Sequence, residues 1–220
     1  MPKIKIKFEI NRDAWNWWHA CNKVSYGNDW KKFIDKDVAD KLHGKTQEQA
    51  YKFLIPYLNS IYSDIDTKKL IKTIQEGFQQ KQAELFQIME QVTKHKIYRD
   101  DFTCFLTSFP RFPYNYEKGY IWISYKRPIE NLLLTFIHEL LHFQYFKYYG
   151  ERIWGELGQE KHGELKEAMT IIINDEFSHV TNIKDNGYEI HQDLRKKLIK
   201  LWRKSCDMDI FIEDAIKILK

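Results

Sequence analysis

The stretch His138-Glu139-Leu140-Leu141-His142 lies in the middle of an apolar run, residues 129–149, bounded by Pro128 and Gly150. Proline is preorganised for a first helical position and glycine for the residue just past a helix end, so the run reads as one helix. Leu132, Leu133, Leu134, Phe136, Ile137, Leu140, Leu141, Phe143 and Phe146 cover nearly every face of it. A helix apolar all round belongs in a core. Two imidazoles and a carboxylate placed there cost about 2–7 kcal/mol for each polar group left unpaired. A divalent cation removes that cost. Residues four apart sit one turn apart on one face, about 6 Å along the axis, so His138 and His142 can converge on one ion. Glu139, rotated by one residue, flanks the ion and can take a proton from a water bound to it. The bland alternative is a pair of core histidines bonded to carbonyls, with Glu139 in a salt bridge.

Upstream, residues 3–10 alternate, with Ile4, Ile6, Phe8 and Ile10 on one side and Lys5, Lys7 and Glu9 on the other, the pattern of a half-buried strand. Asp13 is placed to cap a short helix carrying Trp15, Trp17 and Trp18, three large aromatics expected to pack. Residues 25–44 are polar and irregular, with short helical pieces at most. Thr46-Gln47-Glu48-Gln49 has the spacing of a capping box and opens a helix to about Tyr62, with a bend expected at Pro56. From Asp66 the chain repeats Leu70, Ile74, Phe78, Leu85, Met89 and Val92 at helical spacing, as far as Lys94. Two aromatic and β-branched segments, 102–109 and 119–125, follow and are expected to pair antiparallel across a loop. After Gly150 a connector with Gly155, Gly158 and Gly163 leads to a second buried helix over residues 163–177. Residues 180–187 read as a loop, and residues 191–204 and 210–219 as two amphipathic helices.

The expected fold class is α+β: mostly helical, with a small antiparallel sheet packed on the motif helix. The expected division is an N-terminal strand and helical region at residues 1–97 and a catalytic region at residues 98–220, together forming one compact domain. At 220 residues, 43% apolar and 15% aromatic, the chain has material for a sizeable core. Its net charge of +4 comes from mixed rather than blocked charges, so no nucleic-acid partner is expected. No uncharged apolar stretch of about 18 residues occurs, so no membrane span is expected. Met1-Pro2-Lys3 leads into an alternating strand rather than an apolar leader. Cys21, Cys104 and Cys206 are odd in number and widely spaced. Both features fit a reducing cytoplasm. Oligomeric state is not legible.

A catalytic zinc takes three protein ligands and keeps one position for water. Six residues past His142 stands Tyr148, so the ligand set with a third histidine at that offset is excluded. The other source is a glutamate on a later helix. There a polar stripe of Glu164, Glu167, Thr170 and Asn174 runs through an apolar background, and such a stripe must face water or a polar site. Glu167 is the first choice as third ligand and Glu164 the second. Their bland reading is a surface carboxylate paired with Lys161 or Lys166. Thr170, Asn174, Tyr188 and His191 are candidates for an oxyanion donor or an outer support of the ligands, and His179 is a further donor candidate.

On the helix with His138-Glu139-Leu140-Leu141-His142 and the later helix with Glu167, the chain resembles the gluzincin, thermolysin-like branch of the zincin metallopeptidases. The resemblance covers about residues 102–177 and makes the catalytic region at residues 98–220 zincin-like. It implies Zn2+ held by His138, His142 and Glu167, a zinc-bound water with Glu139 as general base, and hydrolysis of a peptide or protein substrate. The aspartate that this family often carries four residues past its third ligand is replaced here by Ile171, with Thr170 or Asn174 as stand-ins. The alternatives are a non-catalytic binding protein stabilised by zinc, for which an exposed patch around the N-terminal tryptophans would speak, and a zinc hydrolase acting on a non-peptide substrate.

Overall fold

The computed structural model describes residues 1–25 and 28–220. Its fold is α+β: mostly helical, with one mixed four-stranded sheet. The chain forms two compact units that interleave in sequence. One is built from Ile4–Phe78 and Asp101–Pro128, the other from Met1–Lys3, Gln79–Asp100 and Ile129–Lys220. A cut at residue 97 follows neither unit, because the strands after residue 100 belong with the N-terminal elements.

The sheet unit opens with β1 (Lys3–Lys7), whose Ile4 and Ile6 are buried while its lysines are exposed. The strand stops short of Ile10, because α1 (Ile10–Asn22) already begins there with Glu9 as its N-cap. Asp13 is therefore not a cap. It is a buried helical residue that accepts hydrogen bonds from Tyr62 Oη (2.7 Å), Thr107 Oγ1 (2.5 Å) and Ser108 Oγ (2.6 Å). Burial pushes its carboxyl above the ordinary value even though these donors pull the other way.

A short ribbon pairs β2 (Val24–Ser25) with β3 (Asn28–Asp29), Val24 opposite Asp29. Residues 26 and 27, inside the segment read as irregular, lie outside the described residues. After a 3-10 turn (Trp30–Phe33) come α2 (Lys36–Leu42) and α3 (Gln47–Tyr62). The capping box at α3 is formed: Thr46 Oγ1 accepts from Gln49 N, and Gln49 Oε1 accepts from Thr46 N. The helix continues through Pro56. Trp17 is buried against Tyr57 and Phe109, while Trp15 lies on His19 and Trp122. Trp18 Nε1 donates to Lys45 O, so the three tryptophans pack, Trp17 buried and Trp15 and Trp18 half-buried.

The strand order is β1-β4-β6-β5, with β4 (Asp101–Thr107), β5 (Tyr114–Asn115) and β6 (Tyr120–Ser124). β4 and β6 run parallel, Phe105 opposite Trp122, and this corrects the antiparallel expectation. The proline-bearing segment 108–113 crosses to the far side, β5 descends antiparallel to β6, and β6 returns between its neighbours. From Phe102 to Thr107 every residue of β4 is buried. An unbroken buried run marks a strand covered on both faces, which is the setting of parallel pairing.

In the other unit the chain arrives on α4 (Thr67–Thr93), whose start is capped by Asp66 Oδ1 accepting from Lys69 N. Its Leu85, Phe86, Met89 and Val92 are buried, Phe86 edge-on to Phe136. Each such side chain contributes about 1.5–3 kcal/mol on full burial. α5 (Ile129–Tyr145) is buried on every face from Glu139 onward, including Glu139, His142 and Gln144, while in its first half Asn131, Leu134, Thr135 and His138 form one half-buried face. Gln144 accounts for itself by accepting from Tyr98 N and donating to Thr93 Oγ1 and Lys96 O.

The helix does not stop at Gly150. It widens into a π-turn (Phe146–Gly150) and runs on into α6 (Glu151–Ala168), with Gly150 itself helical at φ −58°. Gly155 and Gly163 are helical as well, and the chain breaks only at Gly158, at φ 74° and ψ 175°. A 3-10 turn (Met169–Ile172) and α7 (Ile173–Glu176) complete the second buried segment, in which Leu165, Ala168, Met169, Ile172, Ile173 and Phe177 are interior. After the loop come α8 (Gln192–Ser205) and α9 (Met208–Leu219), joined through Cys206 in left-handed conformation. Among the described residues no helix is long and apolar enough to cross a membrane.

Candidate metal centre

Within the helical unit, α5 and α6 bring three ligand-type side chains together. One ligand atom from each of His138, His142 and Glu167 lies within 4.8 Å of the others. Glu167 Oε2 is 3.8 Å from His138 Nε2 and 3.9 Å from His142 Nε2. Tetrahedral zinc with arms near 2.05 Å needs donor separations of about 3.3 Å, roughly half an ångström tighter than these two. Two imidazoles and a carboxylate so placed are a donor set that could hold a divalent ion. Glu164, one turn earlier on the stripe, is partly exposed and stands outside the group.

Each imidazole is oriented from behind. His142 Nδ1 lies 3.2 Å from Glu139 Oε2, and His138 Nδ1 lies 2.5 Å from Asp185 Oδ2. A carboxylate only accepts, so each Nδ1 carries the hydrogen, and in a neutral ring the lone pair is then on Nε2, facing Glu167. Exposure is uneven. The side chain of His142 is 1% exposed and that of Glu167 6%, while His138 keeps 19%. Of the three, only His138 therefore keeps appreciable exposure.

Asp185 was not legible as a partner. It sits in the 178–188 loop, 47 residues past His138, and its side chain is buried. Thr170 and Asn174 hold this aspartate rather than a histidine. Asn174 Oδ1 accepts from Asp185 N (2.7 Å) and Asn174 Nδ2 donates to Asp185 O (2.9 Å). Thr170 Oγ1 lies 3.2 Å from Asp185 Oδ1. The only hint in the sequence was that the polar stripe past Glu167 needed something to face. The sequence offers Lys166 as a surface partner of Glu167. It does pair with Glu167, through Oε1, but the pair is buried, and its ammonium also lies over the Phe146 ring.

The charges are strongly coupled. Burial opposes ionisation of Glu167, but the two imidazoles and the Lys166 ammonium overcome it and hold its carboxyl far below the usual range. Burial alone would lower His138; the charge and hydrogen bond of Asp185, with Glu167 and Glu139, raise it well above the ordinary histidine value. Burial and Lys166 lower His142. Asp185 is held low against burial by His138 and Arg195.

Of the remaining candidates, His191 is buried. Burial lowers its pKa, while the charges of Glu167 and Glu164 pull upward, which sets it within electrostatic reach of the centre. Tyr188 presents its ring edge-on to His191 at 6.1 Å. His179 is exposed and pairs with Glu84 at 3.6 Å, so it takes no part. No protein-family model, curated protein or solved structure matches the chain.

Proposed function

We propose that the chain is a zinc-dependent hydrolase of gluzincin type that cleaves peptide bonds. The reading is supported by one observation: two imidazole nitrogens and one carboxylate oxygen, all largely buried, converge on a common centre, with His138 the only one of the three side chains that keeps appreciable exposure. His138 Nε2, His142 Nε2 and Glu167 Oε2 would hold the ion, with Asp185 and Glu139 fixing the rings. Zinc bound there supplies a Lewis acid and lowers the pKa of water to about 7. Lys166 engages Glu167 Oε1, which leaves Oε2 for the ion.

Glu139 has one oxygen on His142 Nδ1, which leaves Oε1 to take the proton of the attacking water and pass it to the leaving amine nitrogen. Its placement fits both general base and ring support, and a glutamine separates the two. Glutamine still accepts from Nδ1 but is not basic. Glu139→Gln is expected to keep one zinc per chain by elemental analysis and to lose about 10²–10⁴-fold in peptide turnover. Undiminished turnover in that variant, with zinc bound, removes Glu139 as the base. A wild-type protein that holds zinc yet cleaves no peptide in a mixed library points to the non-catalytic reading, and cleavage of esters alone moves the substrate class.

A further inference from the structure

We infer that Arg195 is a positioning residue for this centre, acting through Asp185 on His138; the inference rests on the metal-binding reading above. Arg195 stands on α8 and is 1% exposed. Its Nη2 donates to Asp185 Oδ1 at 2.8 Å and to Asp185 O at 2.6 Å. Its Nη1 donates to Thr170 Oγ1 at 2.7 Å and to Glu167 O at 3.4 Å. One rigid fork therefore holds the acid that orients His138, the backbone of the acid that faces both imidazoles, and the hydroxyl between them.

The division of labour on Asp185 follows from this. Arg195 occupies Oδ1 and the carbonyl, so Oδ2 is the atom presented to His138 Nδ1. Asp185 belongs to a loop without regular structure, so its placement depends on Arg195 and Asn174 rather than on a helix or strand.

Stability alone does not account for Arg195. A fully buried guanidinium is costly, and an apolar residue of similar volume is often neutral or better in its place. Here Nε has no acceptor among the described residues, which adds to the cost. The backbone also makes way for it. Gly187 has φ +61°, and a Cβ there would lie 2.5 Å from Arg195 Nη1. The loop can close on the guanidinium only with glycine at this position.

The test is a double-mutant cycle read in zinc affinity, by competition with a chromophoric chelator, with folding checked by circular dichroism. Arg195→Lys keeps the charge but loses the fork, and is expected to weaken zinc binding about 10-fold or more, the low end for outer support of a ligand. In an Asp185→Asn background the same change is expected to cost less than about 3-fold, since the route to His138 is already cut. The Co2+-substituted Arg195→Lys protein is expected to show altered visible absorption bands, which a purely structural role would leave in place. A full-sized loss in the Asp185→Asn background, or wild-type affinity in Arg195→Lys, overturns the inference. Should Arg195→Lys fail to fold, Gly187→Ala displaces the guanidinium instead and is expected to weaken zinc to a similar extent; unchanged affinity there overturns it equally. Absence of zinc binding in the wild type overturns the metal-centre reading itself, and the inference with it.

Discussion

At the scale of single residues, the His138–Asp185 pair makes the metal-free protein sensitive to pH in both directions. Asp185 is held below the ordinary carboxylate value, so its contribution is present above about pH 3.9 and is lost as pH falls through its folded value. His138 is raised well above the ordinary histidine value, so its contribution is complete below about pH 6.5 and is lost as pH rises through its raised value. Urea unfolding of the chelator-treated protein is therefore expected to show this contribution in full between about pH 4 and 6.5. Asp185→Asn is expected to flatten the dependence at both ends; an unchanged profile would sink the assignment. What could be read in advance here was set by spacing. His138, Glu139 and His142 are neighbours within one turn, and Glu167 was the acid on a buried stripe. Asp185 and Arg195 are not legible because their roles depend on where a loop and a later helix land, and no local pattern encodes a contact across 47 or 28 positions; the Lys166–Glu167 pair is legible from adjacency, its burial is not.

At the scale of elements, glycine shows how a local rule loses to packing. Gly150 has the place of a helix terminator, yet the chain stays helical through it by widening to a π-turn, and the break falls at Gly158. With Gly150 helical, nothing separates the helix bearing both histidines from the one leading towards Glu167 until Gly158. At φ 74° and ψ 175°, Gly158 occupies a region essentially closed to other residues, while a Cβ there would meet nothing within 4 Å. The cost of Gly158→Ala is thus backbone strain alone, about 1–3 kcal/mol. It is expected to lower the unfolding midpoint without displacing any neighbour, and an unchanged midpoint in denaturant would show that the bend relaxes freely. The sheet gives the same lesson. The composition of β4 and β6 announced strands, but direction was set by a crossover that turns at β5, whose two residues are too short a signal to read.

At the scale of the whole molecule, the two units are each discontinuous in sequence. The helical unit takes Gln79–Asp100 as well as Ile129–Lys220, so the natural-looking cut at residue 97 removes most of the first segment. With it go the buried Leu85, Phe86, Met89 and Val92 and the Thr93 and Lys96 partners of Gln144. A fragment of residues 98–220 is expected to lack cooperative unfolding and dispersed amide signals, and the full chain to show both. A well-dispersed spectrum from that fragment would mean that the first segment is dispensable.

The cluster of buried charges around the two imidazoles has one more consequence. Glu139, Glu167 and Asp185 are three formal negatives against the two fixed positives of Lys166 and Arg195, and the single negative left over is cancelled by a proton on His138. A dication that displaces this proton tips the set one unit positive. Electroneutrality then asks for an anion from outside, because uncompensated charge in a poorly solvated site is costly. Among inhibitors of matched shape, a hydroxamate anion is expected to outcompete its uncharged ester analogue by well over about 10-fold, one decade for each 1.4 kcal/mol. Equal inhibition constants for the two would mean that the balance is struck elsewhere.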